Sequence, residues 1–196
     1  MFLRPSRIGA LAASILAAGA LAACSSAVYT RVTSEVASES GTVFTLENRD
    51  RLATVTFPQG WRSLRMDRQP DGAVGDDLIV RGAPRGAFAL GAAVPSFPDG
   101  TPTAENWEYE VLEELRLSLY GKSPAEYVWV DGTWTTVTGG PALQTTIILK
   151  DGSVTRDTYF FHDELLFTAS FVAEEDGFEE LWPAVEQALR GLTFKS

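Results

Sequence analysis

Sulfur and imidazole are scarce in this sequence, which has one cysteine, one histidine and two methionines in 196 residues. A single cysteine excludes an intrachain disulfide, so the fold must hold by packing. One histidine cannot supply the ligand set of a zinc centre, and any Ser-His-Asp triad would have to use it. No G-x-S-x-G elbow accompanies it, nor any Walker loop or dinucleotide fingerprint. Bases are also scarce: 16 Lys and Arg face 26 acids, a formal charge of −10. So acidic a surface repels phosphate backbones, which argues against nucleic-acid binding. It equally disfavours electrostatic docking on anionic headgroups, so a membrane contact should be covalent.

The first residues read as an export signal. Met1 to Arg7 carries Arg4 and Arg7 and no acid, and the apolar run from Ile8 to Leu21 is too short to span as a permanent helix. It closes on Leu21-Ala22-Ala23-Cys24, which resembles the bacterial lipobox. That resemblance implies cleavage after residue 23 and acyl chains on Cys24. Each buried CH₂ contributes about 0.8 kcal/mol, so two or three chains anchor stably. Loss of Arg4 and Arg7 with residues 1–23 takes the formal charge from −10 to −12. Ser25 follows the cysteine. In Gram-negative lipoproteins a serine there permits sorting to the outer membrane; in another envelope the site would be the outer face of the plasma membrane. Residues 24–41, rich in Ser, Thr, Ala and Glu, read as a lipidated flexible tether, with a short edge strand over Val28–Val32 as the alternative.

Residues 42–196 read as one α+β domain: an antiparallel sheet of seven or eight strands carrying two helices. Val43–Leu46 and Ala53–Phe57 have the alternation of half-buried strands, and Asp77–Arg81 and Ala87–Val94 read as two further strands joined by the turn Gly82-Ala83-Pro84-Arg85-Gly86. Thr103 caps a first helix whose stripe is Trp107, Val111, Leu115 and Leu119, ending at Gly121. Asp131-Gly132 signals a two-residue hairpin that would set Trp129 opposite Trp134. Asp151-Gly152 signals a second, pairing Leu149 with Val154 and Leu143 with Phe160, and Asp163-Glu164 a third, pairing Phe160 with Phe167. This register puts Leu143, Ile147, Leu149, Val154, Phe160, Phe167 and Phe171 on one core face. A last helix carries Phe178, Leu181, Val185 and Leu189. We place its start near Trp182, with Pro183 in the first turn, in preference to a kinked helix capped by Asp176 and Glu179.

The chemistry-bearing residues are few. His162 lies at a hairpin end and reads as structural. Asp71, Asp76 and Asp77 surround Gly72 and Gly75, and Glu174, Glu175 and Asp176 cluster before the last helix. Neither matches an EF-hand, and solvated acids are the plainer reading than calcium. No metal and no cofactor is expected. The remaining surface is aromatic: Tyr127, Trp129 and Trp134 would suit a partner or a ligand if exposed, and simple core packing if not.

Three features together resemble the PsbP/DcrB-like group: Val55-x-Phe57-Pro58-x-Gly60-Trp61, then Gly139-Gly140-Pro141-Ala142, then a closing Gly191-Leu192-Thr193-Phe194. The resemblance covers residues 42–195. It implies an antiparallel sheet with helices on both faces and a non-enzymatic accessory module, and it carries no catalytic motif. The expected function is therefore a lipid-anchored binding module for another envelope component. The alternatives are an envelope hydrolase using a carboxylate pair and a small-ligand or Ca²⁺-binding lipoprotein.

Overall fold

The alternating stretches pair as antiparallel strands, and they divide between two sheets. The computed structural model describes residues 27–28, 30–48, 51–65, 77–93, 127–138, 140–163 and 165–195. The strands are β1 (Ala27–Val28), β2 (Arg31–Ser38), β3 (Gly41–Asn48), β4 (Arg51–Phe57), β5 (Trp61–Leu64), β6 (Leu78–Arg81), β7 (Gly86–Ala93), β8 (Tyr127–Val137), β9 (Gly140–Leu149), β10 (Ser153–His162) and β11 (Leu165–Glu174). Helix α1 (Glu175–Arg190) follows, then β12 (Thr193–Lys195). The large sheet runs β5-β6-β7-β11-β10-β9-β8, with β1 pairing on β7, and the small sheet runs β12-β4-β3-β2. The expected first helix, Thr103–Gly121, lies outside the described residues.

A single sheet was expected, so the second sheet is a correction. It is built by two strands with weak sequence signals. Residues 31–38, expected within the tether, form β2 against β3. Thr193–Lys195, expected only to close the last helix, forms β12 against β4. One core cluster joins both sheets to α1: Phe44, Val55 and Phe57 from the small sheet, Phe88 and Phe171 from the large one, and Phe178, Leu181 and Val185 from the helix.

The Val55-x-Phe57-Pro58-x-Gly60-Trp61 motif acquires a physical meaning here. Phe57 and Trp61 are buried with ring centroids 4.5 Å apart, so the turn between them must be tight. Gly60 has φ +89°, and a Cβ there would sit 1.6 Å from Arg81 Nη1. That guanidinium nitrogen donates to the carbonyl of Gln59 at 2.9 Å. Only glycine fits at such a position.

Two registers differ from expectation. Asp131-Gly132 makes no hairpin: β8 runs straight through it, with a bulge between Trp129 and Asp131, and the chain reverses only after Val137, opposite Gly140. The extra residue of the bulge is Val130, and Asp131 and Gly132 pair regularly with Thr146 and Thr145. At the next turn Gly152 has φ +81° and donates to the carbonyl of Leu149 at 2.9 Å. Asp151 Oδ1 accepts from the backbone N–H of Ser153 at 3.0 Å. Lys150 thereby joins the loop, which lengthens by one residue, and Val154 pairs with Ile148 and Tyr159 with Leu143. A slip of one residue moves a whole strand's side chains to the other face. Leu143 and Ile147 accordingly leave the face shared by Val154, Phe160, Phe167 and Phe171. The Phe160–Phe167 pairing stands as expected, the rings stacked at 5.5 Å.

Helix α1 begins at Glu175, a full two turns before Trp182, and Pro183 sits inside it. Its buried stripe of Phe178, Leu181, Val185 and Leu189 spans the proline on both sides, so packing holds the helix continuous. Pro183 and Glu179 are both exposed, which leaves the carbonyl freed by the missing N–H accessible to water. The first helical N–H, that of Glu175, donates to the carbonyl of Gly152 at 3.2 Å, and no side chain caps the end. The expected start near Trp182 is therefore corrected to Glu175, and the alternative Asp176–Glu179 capping box is absent as well.

Candidate functional site

Strand β10 organises the chemistry, because its alternate residues serve two different faces of the large sheet. Arg156, Thr158 and Phe160 share the side of α1, while Thr155, Asp157 and Tyr159 share the opposite side. Both sets are buried or half-buried.

On the side away from α1, Tyr159 is fully buried and donates from its hydroxyl to Asp157 Oδ2 at 3.3 Å. Burial foremost, and then the neighbouring Asp157 charge, raises the phenol well above the ordinary tyrosine range, with a hydrogen bond to Thr145 acting the other way. The phenol is a proton-holding donor, a structural partner for the carboxylate. Thr145 and Ser170 flank Asp157 on the neighbouring strands, and all three are buried. Thr155 Oγ1 is buried with no hydrogen-bond partner.

On the side of α1, the Arg156 guanidinium lies over two rings of the helix, its carbon 4.5 Å from the Trp182 ring centre and 5.0 Å from that of Phe178. Those rings are 6° from parallel, one helical turn apart. Arg156 Nε donates to Thr146 Oγ1 at 2.9 Å.

The expected site residues are distributed as follows. Trp134 is 44% exposed on β8, the outer strand of the large sheet. The register pairs position 127 with Leu149, 129 with Ile147 and 134 with Leu143, three residues of one face of β9. The side chains of Tyr127 and Trp129 lie outside the described residues, as do Cys24, Asp71 and Asp76. The expected Trp129–Trp134 pairing across a hairpin does not form, since both belong to one strand. His162 stacks on Phe194 at 4.0 Å and its Nε2 lies 3.4 Å from Asp163 Oδ2, joining the β10–β11 turn to β12. Asp77 accepts from the backbone N–H of Val32 at 2.9 Å, and its own N–H donates to the carbonyl of Thr30 at 3.1 Å. It clasps the start of β2 to the large sheet. Glu174 and Asp176 border an open recess of about 490 Å³ together with Arg85 and Pro84. Among the described residues no group of three His, Cys, Asp or Glu side chains gathers as a metal site, and no helix is long and apolar enough to cross a membrane.

No family model matches the chain, and no curated protein matches it in sequence. Solved structures do. LpqN of Mycobacterium tuberculosis, described as involved in cell envelope biogenesis, superposes with a TM-score of 0.50 at 15% identity, covering 86% of this chain and 92% of LpqN. This chain has the LpqN fold. The cyanobacterial PsbP (CyanoP) of Synechocystis, from the group that the sequence motifs resemble, gives 0.49 at 11% identity over 73% of this chain and 86% of its own. PA94 of Pseudomonas aeruginosa gives 0.45 at 11% identity over 77% and 96%. At such identities the LpqN likeness is one of backbone architecture.

Sequence reading missed Arg156, Asp157 and Tyr159. The available signal was a strand, Ser153–His162, with an arginine and an aspartate side by side in its interior, where charges are costly without partners. Aromatics four residues apart on the following helix, Phe178 and Trp182, completed that signal.

Proposed function

We propose that this chain is a lipid-anchored, non-enzymatic accessory module of the cell envelope that docks on another envelope protein along β8. The carrying observation is Trp134, a large aromatic 44% exposed on the outer strand of the large sheet. An exposed tryptophan on a rigid strand offers large apolar area with a polar edge, the profile of an interface anchor. The lipobox-like Leu21-Ala22-Ala23-Cys24 supports delivery to the envelope, and the LpqN fold is shared with a protein of envelope biogenesis. Acyl chains on Cys24 would confine the domain to a membrane surface, so that modest docking affinity suffices.

The test is a photo-crosslinking residue placed at position 134 in cells, with a control at Glu179, which is exposed on α1. A single envelope protein captured reproducibly from position 134 and not from 179 is the expected result. Identical adducts from both positions, or lipid alone, would overturn the docking reading. Cys24→Ser should release the protein from the membrane fraction, and retention there would overturn the anchoring.

A further inference from the structure

Arg156 is held as a pre-set cation. Stacking on Trp182 and Phe178 fixes the plane of its guanidinium, and the 2.9 Å bond from Nε to Thr146 Oγ1 fixes its rotation within that plane. Most of the conformational freedom of a long side chain is thus spent before any ligand arrives. Among the described residues no carboxylate pairs with it. In a chain with 26 acids and 16 bases, a half-buried arginine supported by rings instead of an acid is informative. Its two terminal amino groups make none of the hydrogen bonds found among the described residues, and together they form the fork that matches two oxygens of one anion.

The surroundings on that face are polar, and position 131, an aspartate whose side chain lies outside the described residues, pairs with Thr146 at the outer end of the row. Thr146 stands beside Arg156, Gln144 beside Thr158, and Thr133 and Thr135 lie opposite Gln144 and Ala142 on the outer strand. Thr133 is exposed, and Gln144 and Thr135 are half-buried. These hydroxyl and amide groups can donate to an anion.

We propose that Arg156, anchored by Thr146 and seated on the Trp182–Phe178 pair, is a recognition site for a small oxyanion, a carboxylate or a phosphate group. The site is on the α1 side of the sheet and does not depend on docking through Trp134.

The test titrates the detergent-solubilised full chain with inorganic phosphate and, in parallel, with succinate, holding ionic strength constant with chloride. Tryptophan fluorescence, to which Trp182 reports directly, and the thermal midpoint are read together. A saturable fluorescence change with a rise in midpoint is expected in the millimolar range. Response to phosphate alone assigns a phosphate group, response to succinate alone a carboxylate, and response to both a general oxyanion site. Arg156→Gln should weaken the response at least about tenfold, the loss of a charge-assisted bidentate contact. Arg156→Lys, which keeps the charge and loses the planar fork, should fall between. Thr146→Val removes only the Nε anchor and should weaken binding severalfold in a folded protein, which keeps the test decisive if Arg156→Gln is unstable. No saturable response to either anion at tens of millimolar, or an equal response in Arg156→Gln and Thr146→Val, would overturn the site. So would a response seen only in Asp131→Asn, at the outer end of the Arg156–Thr146 row, because the guanidinium would then be neutralised within the chain.

Discussion

Thr155→Val should make this protein more stable, against the usual direction of core substitutions. Thr155 is 1% exposed, and its hydroxyl has no hydrogen-bond partner among the described residues. Its cross-strand neighbours on the same face are Ile147 and Val172, both buried and aliphatic. Leaving a buried hydroxyl without a partner costs about 1–3 kcal/mol, whereas valine has nearly the same shape and no polar atom to desolvate. β-Branching is retained, so the rotamer and strand preferences barely change. Allowing for incomplete recovery, the gain should be about 1–2 kcal/mol in urea unfolding, with an unchanged slope. For a chain of this size that corresponds to roughly 2–8 °C in thermal midpoint. Thr155→Ser is the control: it keeps the hydroxyl and loses a methyl, and should destabilise by about 1 kcal/mol. A destabilised Thr155→Val protein would refute the reasoning, because the hydroxyl would then be making a bond that valine destroys.

Two further outcomes follow from the same packing. Phe171 is fully buried with Trp61, Phe178 and Trp182 rings 6.3, 5.4 and 6.1 Å away, so Phe171→Ala should cost about 3–5 kcal/mol in urea unfolding; a loss below about 1 kcal/mol would contradict the rigidity of this ring cluster. Tyr159 holds its proton more tightly in the folded chain than in the unfolded one, so its contribution is complete below about pH 10 and is lost as the pH rises above that value. Urea midpoints from about pH 9 to 12 should fall, and Tyr159→Phe should flatten that fall; parallel slopes in the two proteins would show that the phenol is not the group responsible.

Four strands were legible. Val43–Leu46 and Ala53–Phe57 alternate because one face of each meets an aromatic core, while Leu78–Arg81 and Ala87–Ala93 read as short apolar runs because both of their faces are buried. β2 was illegible for the complementary reason. It is an edge strand, exposed along most of its length, and a solvated strand leaves no hydrophobic signature. The register between β9 and β10 failed through a single residue, Lys150, since Asp151-Gly152 serves equally in a two-residue and a longer turn. Asp131-Gly132 failed likewise: a turn-forming dipeptide can also lie within a strand, and only its pairing with β9 decides between the two. Trp134 was named as a candidate surface residue and is exposed, though the geometry that presents it is a continuous edge strand and not a hairpin tip.

The candidate anion site was hidden by adjacency. Arg156 and Asp157 are neighbours in sequence, and read along the chain they cancel. In a strand, consecutive side chains point to opposite sides of the sheet, so the two charges are separated by the sheet itself and cannot pair. Each has needed its own partners. Asp157 receives the Tyr159 hydroxyl and lies between Thr145 and Ser170 on the side away from α1. Arg156 receives two ring faces and a threonine oxygen, which support its plane and leave its charge in place. On the α1 side the described residues therefore offer a fixed, positively charged fork, and an oxyanion is what such a fork is shaped to hold.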